Sequence, residues 1–270
     1  MKRILRAVLY IILLFVAVLT LVPLFWLICA SLKNDGDMFH YMFLSPHPTF
    51  QNFVKLFTKV PFFWYLTNSL FLAAATVIIQ LFFSSLGGFA LAKYQFRGQS
   101  VLMFIMLSSM MIPAQVLLAP MYELIYKFGL VDTLLGMLIP WAVSVFGIFL
   151  FRQSIQQVPD ELLQAARIDG CSEFRIYWNI VMPTIRPMIG AFTLIAFMAS
   201  WNSFIWPKII LHSRRNFTLP IALDQMRTIH YQEYGMLMAG TLVSILPVMI
   251  IFFVLQKEFI SGLTSGAVKG

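Results

Sequence analysis

The feature that constrains this chain most is an apolar run over residues 7–32 that contains no charged side chain. A helix needs about 20 apolar residues to cross the roughly 30 Å hydrocarbon core of a bilayer. The basic residues Lys2, Arg3 and Arg6 precede the run, as they would in a signal peptide. The run is nevertheless longer than the roughly 7 to 15 apolar residues of a cleavable signal. We therefore predict an uncleaved first membrane span.

Five further segments reach or approach the length of a span, and the sequence predicts an all-α, polytopic membrane helical bundle with six transmembrane helices. Backbone groups in lipid must be satisfied within their own segment, which favours helices, and the alternating strands of about ten residues typical of a barrel are not seen. Neither a repeat nor a long linker divides the chain, so residues 1–270 are predicted to form a single transmembrane domain. The predicted spans are residues 7–31, 68–92, 101–122, 134–150, 187–210 and 236–255.

Composition excludes most soluble classes of protein. Apolar residues make up 60% of the chain and charged residues only 11%, which is unusual for a soluble domain. The net charge of +8 comes from basic residues that stand singly or in pairs between apolar segments, so we expect membrane lipid and no nucleic acid as a partner. Cys29 and Cys171 lie far apart in the sequence, and we expect no disulfide.

Prolines and charges add two expectations about the bundle. Five internal prolines are expected to kink the spans: Pro23, Pro113, Pro120, Pro140 and Pro247. An even number of spans places both termini on one side, and the basic N-terminus predicts that this side is the cytoplasm. Eleven of the 19 Lys and Arg residues then lie inside and eight outside.

The most polar segment assigned to the cytoplasm lies between spans four and five, at residues 152–186. Pro159 suits a first helical position, and Asp160 and Glu161 complement the positive end of a helix dipole. Gly170 can adopt the left-handed conformation that ends a helix. These signals predict a short helix that begins near Asp160 and ends just before Gly170.

A second short helix is predicted to follow the first and form an elbow with it. Ser172 offers an N-cap, Glu173 occupies the first turn, and the helix is expected to end before Pro183. On the first helix, a common face at i, i+3, i+4 and i+7 carries two small residues that would let another protein approach closely. This face consists of Leu162, Ala165, Ala166 and Asp169.

The run over residues 161–170, together with Ile180 and Pro183, resembles the "EAA" loop of importer permeases of the ATP-binding-cassette (ABC) class. Its Glu-Ala-Ala is represented by Gln164, Ala165 and Ala166, so the glutamate of the name is replaced. The segments WNSFIWP at 201–207 and GLTSGAVKG at 262–270 are similar to the carbohydrate branch, specifically the maltose-type smaller permease. The resemblance extends along essentially the whole chain.

The resemblance implies a binding-protein-dependent importer in which the elbow docks into a cleft on a separate ATPase. The implied partners are a second homologous permease, two ABC ATPase subunits that bind ATP and Mg, an extracytoplasmic solute-binding protein and a small solute, most simply a carbohydrate. The implied location is a bacterial or archaeal cytoplasmic membrane. The implied ATPase-coupling residues are Glu161, Leu162, Ala165, Ala166, Asp169 and Gly170.

Three further sets of residues are candidates for contacts with partners or solute. Within the C-terminal segment 257–270, Gly266 and Lys269 are candidates for contacts with the ATPase, as the resemblance implies. Trp201 and Asn202 are candidates for the solute path, since an aromatic face can stack on a sugar. The external segments 33–59 and 211–235 are candidates for engaging the solute-binding protein.

Catalytic and cofactor signals are missing from the sequence. It holds no phosphate-binding G-x-x-x-x-G-K-[ST] loop, no H-E-x-x-H and no cysteine pair at metal spacing, so we expect no cofactor and no metal in this chain and no catalytic residue. The predicted spans hold almost no ionisable residue, which disfavours an ion-coupled carrier. The alternatives are a secondary carrier or channel not coupled to ATP and, as a third class, a membrane enzyme.

Overall fold

The computed structural model describes residues 2–40, 42–229 and 233–264. All regular structure in these ranges is helical, and the predicted all-α class is confirmed. Fourteen α-helices occur in the described part of the chain, and a π-helical turn, Tyr177–Val181, lies between α9 and α10. In chain order they are α1 Lys2–Ser31, α2 Gln51–Lys59, α3 Phe62–Lys93, α4 Gln99–Ser109, α5 Leu118–Lys127, α6 Leu134–Leu138, α7 Val145–Ile155, α8 Asp160–Ile168, α9 Glu173–Ile176, α10 Met182–Thr184, α11 Arg186–Trp201, α12 Ile205–Ile210, α13 Leu219–Ile229 and α14 Tyr234–Thr264.

The chain separates into two compact units. One consists of Met1–Leu66 and Leu219–Pro247, and the other of Thr67–Thr218 and Val248–Gly270. We call them the terminal unit and the central unit. The central unit contains the predicted elbow and the residues of the predicted solute path.

Helices long and apolar enough to cross a membrane are present in both units. Single helices over Arg3–Ser31, Phe62–Lys93 and Tyr234–Gly262 meet the requirement by length and composition. Three more candidates are helix pairs bent by 90°, 48° and 82°, so the described residues provide three spans, or up to six if each bent pair counts as one. The bent pairs are Gln99–Ser109 with Ala114–Lys127, Leu134–Trp141 with Val145–Ile155, and Glu173–Thr184 with Arg186–Trp201.

Two of the five prolines that were expected to kink the spans lie at breaks in the described helices. The third predicted span is interrupted between α4 and α5, where Pro113 adopts an extended conformation. The fourth is interrupted after Trp141, one residue beyond Pro140. A proline lacks the N–H that would continue the hydrogen-bond ladder and clashes with the carbonyl four residues earlier. By contrast, Pro23 and Pro247 lie inside the continuous helices α1 and α14.

The fifth predicted span is also shorter as a single helix than the prediction of 187–210. Helix α11 ends at Trp201, and α12 begins only at Ile205. The ring of Pro207 would meet the carbonyl of Ser203 in a continuous helix, which accounts for an interruption at this point.

The expected helix end before Pro183 was wrong. The chain continues from α9 through the π-helical turn into α10, whose second residue is Pro183. The Met182 N–H donates to the Tyr177 carbonyl five residues earlier, as in a π-helix. This wider turn accommodates a proline that an α-helical ladder would exclude.

In the terminal unit, the segments that were predicted to be external contain helices rather than only loops. Helix α2 packs its buried Asn52 against the end of α1, where the side-chain amide donates to the Ser31 and Lys33 carbonyls at 2.8 and 2.7 Å. Helix α13, with 11 residues, lies within the predicted 211–235 loop and buries Leu219 and Met226. Their spacing of seven residues matches two helical turns, which places them on one face.

In the central unit, α3 approaches α7 closely through a glycine pair. A Cβ on Gly88 would lie 2.6 Å from Phe151 Cβ and 2.8 Å from the Arg152 backbone nitrogen. The three nearest contacts of a Cβ on Gly87 would instead all be side-chain atoms of Ile148, with Cγ1 at 3.2 Å and Cδ1 at 3.3 Å. Small residues allow such close backbone packing between membrane helices.

This difference predicts that alanine substitutions at Gly88 and Gly87, each of which adds one methyl group, have unequal effects on thermal stability. Gly88→Ala forces apart two backbones, and overpacking of this kind costs about 1–3 kcal/mol. We expect the purified protein to lose about 3–10 °C in Tm, whereas Gly87→Ala should stay within about 2 °C of the wild type. Thermal unfolding in detergent, followed by size-exclusion chromatography, measures both. Equal Tm values for the two variants would contradict the packing described.

Candidate functional site: a helical elbow clamped to a long helix

The elbow begins with a helix whose two ends are set by local sequence. Helix α8 starts at Asp160, so Pro159 is the residue before the helix rather than its first residue. Gly170 has a φ of +79°, which L side chains rarely adopt, and the Cys171 N–H donates to the Ala166 carbonyl at 2.9 Å. The predicted helix and its glycine end are confirmed to within one residue.

The second limb of the elbow starts at the predicted N-cap. Ser172 Oγ accepts a hydrogen bond from the Arg175 N–H at 3.3 Å, and α9 follows directly. The large side chains of Phe174 and Trp178 on this limb are 62% and 57% exposed. The elbow therefore presents apolar side chains as well as charges.

The end of α3 holds the first limb through Lys93. Its Nζ donates to the Val158 carbonyl at 2.5 Å and to Asp160 Oδ1 at 2.6 Å. The Lys93 side chain is only 5% exposed, whereas that of Asp160 is 72% exposed. The hydrogen bond and charge of Lys93 lower the pKa of Asp160, so this ion pair persists to a pH below the ordinary range of an aspartate.

Tyr94, the residue directly after α3, holds the second limb. Tyr94 Oη donates to Glu173 Oε2 at 2.6 Å, and Arg167 Nε donates to Glu173 Oε1 at 2.7 Å. Partial burial, followed by the hydrogen bond to Glu173, raises the pKa of Tyr94, and the hydrogen bond to Glu173 raises the pKa of Arg167. Tyr94, Glu173 and Arg167 thus tie the two limbs to each other and to α3.

The face of α8 that is open to a partner differs from the face expected from spacing. Leu163 and Ala166 are buried, at 1% and 6% exposure, so Ala166 packs inside this chain. The opposite side consists of Glu161, Ala165 and Ile168, all exposed, and Ile168 is 86% exposed. We call this side the open face of the elbow.

The other predicted coupling residues flank the open face. Leu162 is 48% exposed, and Asp169 and Gly170 are exposed at the end of the helix. A fully exposed isoleucine beside a small residue is suited to filling an apolar cleft on another protein, because burying it there removes apolar surface from water. The open face carries no arrangement suited to covalent chemistry, and its contribution is contact.

Several residues of this site were missed by sequence reasoning. Lys93 and Tyr94 were not predicted as site residues, because the 65-residue separation between Lys93 and Val158 leaves no local signal. Ile168 could have been found as the one large apolar residue on the side of α8 opposite Leu163. In the described ranges no group of three or more His, Cys, Asp or Glu side chains is arranged to hold a metal ion.

The residues predicted for the solute path lie beside a cavity but do not line it. Trp201 is 5% exposed and stacks on Phe197 at 5.4 Å between ring centroids, and Asn202 Nδ2 donates to the Met198 carbonyl at 3.0 Å. A cavity of about 210 Å³ lies within the central unit, between α3, α6 and α11. Its polar lining consists of Ser69, Thr76, Gln80, Ser200, Ser203 and Thr218, and Trp141 adds an aromatic wall.

A loop of the central unit is held by Asp132, which has a φ of +59°. Its carboxylate accepts hydrogen bonds from the His212 and Ser213 backbone N–H groups at 2.9 and 3.0 Å, and from the Ser213 hydroxyl and the Asn216 amide. Burial by itself would raise the pKa of Asp132, but these hydrogen bonds lower it well below its usual range. Asp132 thus orders the segment that carries Arg214 and Arg215.

Asp132→Asn should loosen this segment, because an amide oxygen accepts fewer hydrogen bonds and its NH₂ group opposes the same donors. Leaving one such donor unsatisfied costs about 1–3 kcal/mol, so amide hydrogen exchange over residues 210–217 should accelerate about tenfold. Glu123→Gln, which breaks an exposed ion pair with Lys127, is the matched control and should leave the exchange unchanged.

The low pKa of Asp132 gives the sign of a pH effect at the same loop. A carboxylate whose folded pKa is depressed contributes stability above its unfolded pKa of about 3.9, and this stability is lost only as pH falls through the folded value. Protection over residues 210–217 should therefore persist from pH 7 to about pH 4, once intrinsic exchange rates are corrected. Loss of protection near pH 5 would contradict this assignment.

Helices long and apolar enough to cross a membrane, broken spans and an exposed elbow clamped to one long helix together define a polytopic membrane protein. Residues 84–263 match the family described as "Binding-protein-dependent transport system inner membrane component". The match covers two thirds of the chain, and this chain belongs to that family.

Relatives and a solved structure agree with this assignment. The chain is 40% identical over 260 residues to the arabinooligosaccharides transport system permease protein AraQ of Bacillus subtilis, covering 94% of this chain and 92% of that protein. It is 29% identical to the lactose transport system permease protein LacG of Rhizobium radiobacter, covering 99% and 98%. A crystal structure of a bacterial ABC transporter involved in the import of alginate contains a chain with a TM-score of 0.84 and 25% identity, with coverage of 95% and 97%.

Proposed function

We propose that this chain is the membrane-spanning permease subunit of an ATP-driven importer that moves a sugar or a related small polar solute by alternating access. The observation that carries the proposal is the open face of the elbow, with Ala165 and a fully exposed Ile168, on a helix whose base is clamped to α3. An importer subunit without its own nucleotide site needs such a contact to receive energy from elsewhere.

The elbow would act as a stiff lever. Movement of an ATPase against the open face would pass through Lys93 and through the Tyr94–Glu173–Arg167 cluster into α3. Helix α3 extends 32 residues, about 48 Å, so a displacement at one end reaches the far end without a hinge inside the helix. Alternating access needs rigid elements of this kind that rock about a fixed solute site.

The proposed complex contains a second homologous permease, two ABC ATPase subunits and an extracytoplasmic solute-binding protein. ATP and Mg would be bound by the ATPase subunits, with both termini of this chain in the cytoplasm. A sugar is the proposed solute because the named relatives serve arabinooligosaccharides and lactose, and the alginate transporter imports a polysaccharide. Trp201 and Asn202 stay predictions for the solute path, and Gly266 and Lys269 lie outside the described residues.

The alternative is a secondary carrier or channel that works without ATP. Purified importer in proteoliposomes separates the two, with arabinotriose as the solute, its binding protein outside and ATP sealed inside. Uptake should require enclosed ATP and should survive an ionophore mixture that dissipates ion gradients. Uptake that does not require enclosed ATP but stops when the ion gradients are dissipated would overturn the proposal.

A further inference from the structure

The cavity of the central unit contains a buried hydroxyl that lacks a protein partner. Thr218 lines the cavity and is only 5% exposed, and its Oγ1 makes no hydrogen bond to any residue that the structure describes. The Trp206 indole N–H, one residue from the lining residue Pro207, is also buried without such a partner. A buried polar group without a hydrogen bond costs about 1–3 kcal/mol, so groups of this kind mark a place where another molecule binds.

The other walls offer a mixture of donors, acceptors and one aromatic surface. Gln80 Nε2 donates to the Trp141 carbonyl at 2.7 Å, which fixes the amide and leaves Oε1 as an acceptor. Ser200 Oγ lies 3.5 Å from Thr76 Oγ1, at the limit of a hydrogen bond, so both hydroxyls retain capacity for a ligand. Trp141 is 38% exposed and supplies a flat apolar surface.

The position of the cavity along α3 relates it to the elbow. Ser69 and Gln80 precede Lys93 in this helix, at distances of roughly 36 and 20 Å with a rise of 1.5 Å per residue. The cavity therefore extends from the middle of α3 toward the end that is remote from the elbow. On the proposed orientation that end faces the solute-binding protein.

We propose that this cavity is a subsite that holds one sugar ring during its passage, an inference that rests on the proposed function. Its volume of about 210 Å³ is sufficient for a ligand the size of one monosaccharide unit. Sugar hydroxyls would bond to Thr218, Gln80 and Ser200, and the apolar face of the ring would stack on Trp141.

Removing the lone hydroxyl tests the subsite directly. Thr218→Val keeps the shape of the side chain, and we expect ATP-driven uptake of arabinotriose to fall about tenfold in proteoliposomes that contain the whole importer. Gln80→Leu should lower uptake to a similar degree. Thr20→Val, on an exposed position of α1, is the matched control and should stay within twofold of the wild type. Normal uptake by both cavity variants would overturn the subsite.

A labelling experiment separates loss of binding from loss of folding. Ala199 is an exposed lining residue, so Ala199→Cys in a background of Cys29→Ser and Cys171→Ser should react with a water-soluble methanethiosulfonate. Binding protein loaded with arabinotriose should slow the reaction at least fivefold relative to unloaded binding protein. Adding Thr218→Val should abolish this protection, and adding Thr20→Val should not.

The outcomes distinguish the subsite from the proposed function. The wild-type importer could take up sugar with ATP while sugar leaves the labelling rate of the cysteine at position 199 unchanged. In that case the cavity holds only water, and the subsite is rejected while the proposed function stands. If wild-type importer shows no ATP-dependent uptake, the proposed function fails first.

Discussion

Ala165→Glu should reduce ATP-driven uptake by about a hundredfold while the protein still inserts and folds. Ala165 is exposed on the open face, so the new side chain meets only water in the isolated chain. In the complex the same carboxylate would be buried against the ATPase without a partner, at a cost of about 3 kcal/mol or more, which corresponds to about a hundredfold in affinity. Co-purification of the ATPase and uptake in proteoliposomes measure the effect.

Gln164→Glu is the matched control, because it adds the same charge one residue earlier on the same exposed helix. It also restores the glutamate of the family motif that the sequence resembles, so uptake should stay within about twofold of the wild type. Equal uptake by Ala165→Glu and Gln164→Glu would show that α8 does not contact the ATPase. Loss of expression in Ala165→Glu would show instead that the open face packs within the folded chain.

Lys93→Met should uncouple ATP hydrolysis from uptake. Methionine retains the apolar part of the side chain but leaves the Val158 carbonyl without its 2.5 Å donor and removes the partner of Asp160. Loss of such a buried contact is worth about 1–3 kcal/mol, so we expect the amount of solute moved per ATP to fall about tenfold. The measurement is the ratio of uptake to phosphate release in the same proteoliposomes.

Lys127→Met provides the comparison for this variant. Lys127 is paired with Glu123 at 2.6 Å, but both side chains are about two-thirds exposed, and exposed pairs one helical turn apart contribute little. Its ratio of uptake to hydrolysis should match that of the wild type. A normal ratio in Lys93→Met would show that the elbow transmits force without its clamp to α3.

Much of the fold was predictable because membrane helices leave a strong local signal. Uncharged apolar runs, each long enough as a helix to cross a bilayer, predicted the positions of α1, α3 and α14. Asp160 and Gly170 predicted the ends of α8 to within a residue. The breaks between helices were harder to predict from the sequence. A proline marks a position where a helix can bend, but it does not determine whether the helix bends there. Pro23 lies within a continuous helix, whereas Pro113 accompanies a 90° bend.

The candidate site was predictable only in its local part. Helical spacing placed Ala165 and Ala166 together, but only tertiary packing decides that Ala166 faces this chain and Ala165 faces outward. The clamp from Lys93 and Tyr94 joins residues more than 60 positions apart, which no local pattern reveals. The cavity joins Thr218 to Gln80 for the same reason, whereas Trp201 and Asn202 were predicted for the solute path from their residue types.

The most direct measurement for the central claim is photo-crosslinking from the open face in the assembled importer. A photoreactive amino acid in place of Ile168 should form its main product with an ATPase subunit, and the same group in place of Phe128, an exposed residue at the end of α5, should not. A product between position 168 and the solute-binding protein, or none with the ATPase, would contradict the account.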